Sequence, residues 1–238
     1  MSTGQKNFST SNNPLLHNKL MPPRLNSNAI RRDDLLSRLD QGLSRKLTLV
    51  SAPTGFGKTT LVSMWIGSRQ FASAWVTLDQ NDNDVTRFWT YVVSALRTLG
   101  SSIGKTALSA LTISQPTAFQ TFLTPLINDL TRLNETSVLV LEEFHFIASK
   151  EILAGISFLI QHLPDSLHLI LITRTEPDLP LPLLRVRDEM IEITAADLRF
   201  DQQETEAFLQ TAAQIELPPS AIRQLLQKTE FKSRVTPF

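Results

Sequence analysis

The segment that most constrains the fold lies between residues 46 and 69. Residues 46–52, KLTLVSA, form a short β-rich run, residues 53–57, PTGFG, interrupt it with proline and two glycines, and residues 59–69, TTLVSMWIGSR, have helix length. A hydrophobic strand that turns through glycine directly into a helix belongs to a layered α/β architecture. Within it, residues 52–59 read A-P-T-G-F-G-K-T, the phosphate-loop pattern with Ala in place of the first Gly. Gly55 and Gly57 let the backbone turn and approach a ligand closely, so that successive N–H groups face anionic oxygens. The helix that opens at the loop favours negative charge at its N-terminus. In this pattern Lys58 neutralises the β- and γ-phosphates of a nucleotide and the Thr59 hydroxyl ligates Mg²⁺. Chance alone supplies such a pattern in about one chain in fifty of this length, and its placement between strand and helix lowers that further. The bland alternative is a glycine turn beside a surface lysine.

The rest of the chain repeats the alternation. Helical spacing of Leu35, Leu36, Leu39 and Leu43 precedes the loop. After it come a strand at 73–79, a helix at 86–99, a helix at 117–133 in which Pro125 is a candidate kink, a strand at 137–143, a helix at 150–163, a strand at 167–174, a Pro-rich loop and a strand at 190–194. Continuous apolar runs such as SVLVLEE and LHLILITR suit strands buried on both faces. The expected fold is therefore α/β, a mostly parallel five-stranded sheet covered by helices on both faces. From Asp201 the pattern turns purely helical, the start of a helical lid. We expect a disordered, Ser/Thr/Asn/Gly-rich leader at 1–13, an NTPase domain at 14–200 and a partial helical subdomain at 201–238.

Composition removes several classes of function. The 238 residues hold 23 Lys+Arg against 23 Asp+Glu and no cysteine. Thiolate chemistry and Cys-based zinc sites are excluded, and the four histidines have no chelating spacing. Balanced charge argues against specific nucleic-acid binding by this chain alone. No apolar run approaches the ~18 residues of a membrane span, and no secretory signal opens the chain, so a cytoplasmic protein is expected.

A phosphate loop needs an acid on the metal side, supplied at the C-terminal end of a neighbouring strand. VLVLEE supplies Glu142, to hold Mg²⁺ through water, and Glu143, to orient the attacking water as general base. The strand candidate at 73–79 falls between the two motifs, as in the NTPase division with a strand inserted between them. Arg174 closes the next strand at the same sheet edge, where it can report a γ-phosphate. Asp79, Asp82 and Asp84 fit either a water or metal shell or a plain acidic turn. His145 reads as a loop histidine, and Trp65, Trp75, Phe88 and Trp89 read as core.

Taken together, KLTLVSAPTGFGKTTLVSMW, AWVTLDQNDNDVTRFWTYVVSAL, VLVLEEFH, LILITRTEPDLPLPLLRVR and ADLRF resemble the nucleotide-binding domain of the MalT-like LuxR-type transcriptional regulators, within the STAND class of signal-transduction ATPases. The resemblance covers about residues 14–230. It implies an ADP-bound resting state, inducer-promoted ATP binding, self-association and slow hydrolysis as reset. It assigns phosphate contacts to Ala52, Pro53, Thr54, Gly55, Phe56, Gly57, Lys58, Thr59 and Thr60, metal and water roles to Glu142 and Glu143, and γ-phosphate sensing to Arg174. HNKLMPPRLNSNAIRRDDLLSRL resembles the family's opening segment, with Arg32 matching a basic residue before the first helix and counted among the nucleotide-binding residues. Where the family has paired Asp, this chain has Glu142-Glu143. Beyond Thr229-Glu230 only FKSRVTPF follows, so the reading is of a truncated form lacking the sensor and DNA-binding domains. The alternatives are a self-contained NTPase or small-molecule kinase, and an inactive interaction fragment.

Overall fold

In a computed structural model the described residues are 15–25, 29–113, 118–210, 218 and 221–222. The leader at 1–13 and nearly all of the chain beyond Gln210 lie outside them. Five strands, β1 (Leu47–Ser51), β2 (Ala72–Thr77), β3 (Ser137–Glu142), β4 (Leu167–Thr173) and β5 (Met190–Thr194), form one sheet in the order β2-β3-β4-β1-β5. Every pairing is parallel. All five C-terminal ends therefore meet at one edge, where ligands bind in open α/β sheets.

Alternation along each strand divides the core between two faces. Val138, Val140, Ile170 and Ile172 point to the side covered by α1 (Asp33–Gly42) and α2 (Lys58–Arg69), where they meet Leu36, Val62 and Trp65. Leu139, Leu141, Leu169 and Leu171 point to the other side, against α3 (Val85–Leu96), α5 (Gln120–Leu130) and α6 (Lys150–Gln161). Strands buried on both faces explain why these runs show no polar alternation.

Local chemistry sets the helix starts. The Asp84 carboxylate accepts from the Arg87 amide at 2.8 Å, satisfying one of the open donors of α3. Pro125 lies inside α5, which nonetheless runs as one helix from Gln120 to Leu130.

Three features go beyond what the sequence predicts. A helix, α4 (Lys105–Ile113), occupies a stretch that sequence left unassigned; it packs Ala107 and Leu111 into the larger core. The Pro-rich loop after β4 holds a short helix, α7 (Leu181–Val186), opened by Pro180 and Pro182, whose fixed φ is tolerated in a first turn. The acid-bearing strand β3 is separated from β1 by β4. After β5 come α8 (Ala195–Leu198) and α9 (Gln202–Phe208), the latter opened by a reciprocal Asp201–Glu204 capping box.

Candidate functional site

The loop between β1 and α2 turns as its glycines predict. Gly55 has φ 85° and Gly57 has φ 75°, left-handed values that disfavour side chains. Gly57 is also the N-cap of α2 and has no side chain to cap with, and the first turn contains no acidic residue. The amides at this helix start thus retain their affinity for an anion. Ala52 and Phe56 are buried, while Pro53 and Thr54 are exposed at the tip.

Lys58 is 7% exposed, and its Nζ donates to the carbonyls of Ala52 at 2.7 Å and Pro53 at 3.0 Å. Burial pulls its pKa below the ordinary lysine value; Glu143 and Glu142 partly oppose this and Arg174 adds to it. Among the described residues no carboxylate forms an ion pair with it. The next residue, Thr59, donates its hydroxyl to Glu142 Oε1 at 2.5 Å. Glu142 is buried, and its Oε2 accepts from Thr77 Oγ1 at 2.8 Å and Trp75 Nε1 at 3.3 Å. Parallel pairing sets Thr77 beside Glu142, so both side chains leave the same face of the sheet.

Glu143 follows the end of β3 in a left-handed conformation, φ 58°, unusual for a residue with a side chain. That turn presents its carboxylate to Arg174 Nη2 at 3.0 Å and to His145 Nε2 at 3.4 Å. Burial lowers the His145 pKa, with Glu143 opposing the shift. The sequence-derived Lys58, Thr59, Glu142, Glu143 and Arg174 thus converge at the C-terminal edge of the sheet. A hydroxyl and a carboxylate side by side next to a buried ammonium form a donor set suited to a hard divalent cation carried by phosphate oxygens.

Arg32 sits to one side. Its Nε pairs with Glu204 at 2.7 Å, its Nη2 donates to the carbonyls of Asp197 and Arg199 at 3.0 Å, and the guanidinium lies over the Phe200 ring. Through these contacts it ties the start of α1 to the segment after β5. Arg32, Phe56, Gly57 and Thr60 meet Leu198 and Phe200 around an apolar cleft beside the phosphate loop.

The two readings left open for the acidic turn resolve to structure. Asp79 and Asp82 form a capping box and both bind Lys19, Asp82 also pairs with Arg87 at 2.9 Å, and Asp84 caps α3. The aromatic stripe is core: Trp65, Trp75, Phe88 and Trp89 are at most 1% exposed. Trp75 does more than pack, since its indole N–H reaches the site. Sequence reasoning missed that, and missed Thr77, because only the β2–β3 register reveals it.

No protein-family model matches the chain. Among curated proteins, the HTH-type transcriptional regulator MalT of Serratia proteamaculans is 34% identical over 196 residues, covering 82% of this chain and 21% of that protein. The MalT regulator of Yersinia enterocolitica is 32% identical over 218 residues, covering 91% of this chain and 24% of that one. The chain is a homologue of the MalT regulators. It spans about a fifth to a quarter of the length of these relatives. Among solved structures, a STAND protein with a tetratricopeptide repeat sensor from Pyrococcus horikoshii superposes with a TM-score of 0.63 at 11% identity, covering 87% of this chain and 28% of that one. At that identity the likeness concerns the fold, which is that of the P-loop NTPases. Among the described residues no helix is long and apolar enough to cross a membrane.

Proposed function

We propose that this chain is the ATP/ADP-binding switch domain of a signal-transduction ATPase related to the MalT-like regulators. The observation that carries the reading is Lys58, a buried ammonium satisfied, among the described residues, only by carbonyls of its own loop at the start of an uncapped helix. Such a charge is favourable where an anion completes it. The relatives are named transcriptional regulators. By that analogy the domain serves signalling, with self-association as its output and slow hydrolysis as its reset.

In this reading Lys58 swings from the Ala52 and Pro53 carbonyls to the β- and γ-phosphates. Thr59 and Glu142 would hold Mg²⁺, and Glu143 would orient the attacking water and accept its proton. Arg174 leaves Glu143 for the γ-phosphate, so its position reports which nucleotide is bound. Mg²⁺, when bound, neutralises charge on the phosphate oxygens. The apolar cleft bounded by Phe56, Leu198 and Phe200 receives the base.

Calorimetric titration with ADP and with ATP, each with Mg²⁺, beside a Lys58→Ala variant tests the reading. Micromolar binding that the variant loses is the expected result. Absence of binding to the unaltered chain, or equal binding by both proteins, would overturn it.

A further inference from the structure

Glu142 is held from two directions. On one side is Thr59, a residue of the phosphate loop; on the other are Thr77 and Trp75, both on the edge strand β2. Trp75 is 1% exposed and packs in the core between the sheet and α2, so its indole cannot turn towards water. Its N–H lies 3.0 Å from Thr77 Oγ1 and 3.3 Å from Glu142 Oε2. Thr77, itself next to Glu142 in the strand register, donates to the same carboxylate oxygen at 2.8 Å. Indole, hydroxyl and carboxylate thus form a short chain of donors ending on Oε2. Oε1 is left for whatever occupies the phosphate loop.

A glutamate has one more rotatable bond than an aspartate, so the same carboxylate on the longer stem loses more freedom when it is fixed. Two donors on one oxygen, one of them on a ring locked in the core, supply that restraint. The Thr59 contact alone does not, because it must break when Thr59 turns to a metal ion. We propose that Thr77 and Trp75 are positioning residues that fix Glu142 Oε1 towards the phosphate loop and so set the contribution of Mg²⁺ to nucleotide affinity. The inference rests on the nucleotide-binding reading above. Partners that orient a metal-site ligand from behind are commonly worth 10–100-fold in metal affinity, roughly the range expected here.

The test is the ratio of ADP affinity with Mg²⁺ to ADP affinity in EDTA, measured by calorimetry on the whole chain for the unaltered protein, Thr77→Val, Thr77→Ser and Trp75→Phe. Thr77→Val is expected to shrink the ratio about tenfold, Thr77→Ser to restore most of it, and Trp75→Phe to shrink it by a smaller factor. A general loosening of the fold lowers both affinities together and leaves the ratio in place. Indole emission gives a second readout, because Mg²⁺·ADP redistributes the donors around Glu142: a spectral change in the unaltered protein is expected to vanish in Trp75→Phe. An unchanged ratio in Thr77→Val, with ADP still bound, overturns this inference alone. Failure of the unaltered chain to bind ADP overturns the nucleotide reading and this inference with it.

Discussion

Lys19 and Lys58 are each 7% exposed, yet their surroundings are opposites. Lys19 meets two carboxylates, Asp79 at 3.0 Å and the fully buried Asp82, and its Nζ lies over the Tyr91 ring. Arg87 completes the group from the other side of Asp82. Among the described residues, Lys58 meets only the carbonyls of Ala52 and Pro53. A buried charge is costly unless paired, so a lysine with a full set of counter-charges is a fastener, whereas one with neutral acceptors is stored for an anion. Burial alone does not separate a structural cation from a functional one; the partners do.

The same Lys→Met change at the two positions breaks or upholds this contrast. Lys19→Met leaves Asp82 buried with Arg87 as its remaining charged partner, and removing one member of such a cluster costs about 3–4 kcal/mol. Chemical denaturation should report that loss, while nucleotide affinity of the folded fraction stays as it was. Lys58→Met is the reverse: stability holds or rises slightly, because an unpaired buried ammonium is gone, and nucleotide affinity drops roughly 100-fold. If both variants lose stability equally, the distinction between fastener and stored charge is wrong.

Sequence reached the two lysines unequally, and the reason is physical. Lys58 lies in a local pattern whose glycines, strand and helix are contiguous, so loop and lysine are legible together. Lys19 finds its partners at positions 79 and 82, and nothing short-range announces that pairing. The strands and their parallel direction followed from apolar runs and alternation. The helix at Lys105–Ile113 did not, because its apolar positions are small or interspersed with Thr and Ser. At the site, Glu142, Glu143 and Arg174 were readable as strand-end residues. Thr77 and the indole N–H of Trp75 were not, since they matter only through cross-strand register.

His168 supplies a third solution to a buried nitrogen, and a smaller effect. It is 1% exposed on β4, with Nδ1 at 2.8 Å from the Arg45 carbonyl and Nε2 at 2.8 Å from Thr48 Oγ1. A carbonyl only accepts, so Nδ1 carries the proton and Nε2 accepts from the hydroxyl. Burial pushes its pKa down to about 4. The folded state thus holds the ring neutral while the unfolded chain titrates near 6.5. That stability is fully present above pH 6.5, falls as the pH drops, and is lost below the folded pKa. Between pH 7 and pH 5 the loss is about 2 kcal/mol. His168→Gln should flatten the stability profile in that window, and a slope unchanged from the parent would show that other groups control it.

The smallest effect concerns Arg174, a cation neither locked like Lys19 nor buried like Lys58. Its side chain is 41% exposed, and its partner is Glu143 at 3.0 Å. Solvent screens the pair, so Arg174→Gln should change stability by well under 1 kcal/mol. Its value lies in discrimination: if the guanidinium exchanges Glu143 for a γ-phosphate, ATP gains a charge-assisted contact that ADP lacks. The exchange replaces one partially solvated partner with another, so the net gain is only about 1 kcal/mol, or roughly fivefold in the ratio of ATP to ADP affinity. Competition between the two nucleotides on the parent and on Arg174→Gln measures that ratio directly. A ratio that the substitution leaves unaltered would make Arg174 an orienter of Glu143 alone, and Lys58 would then be the cation that meets the terminal phosphate.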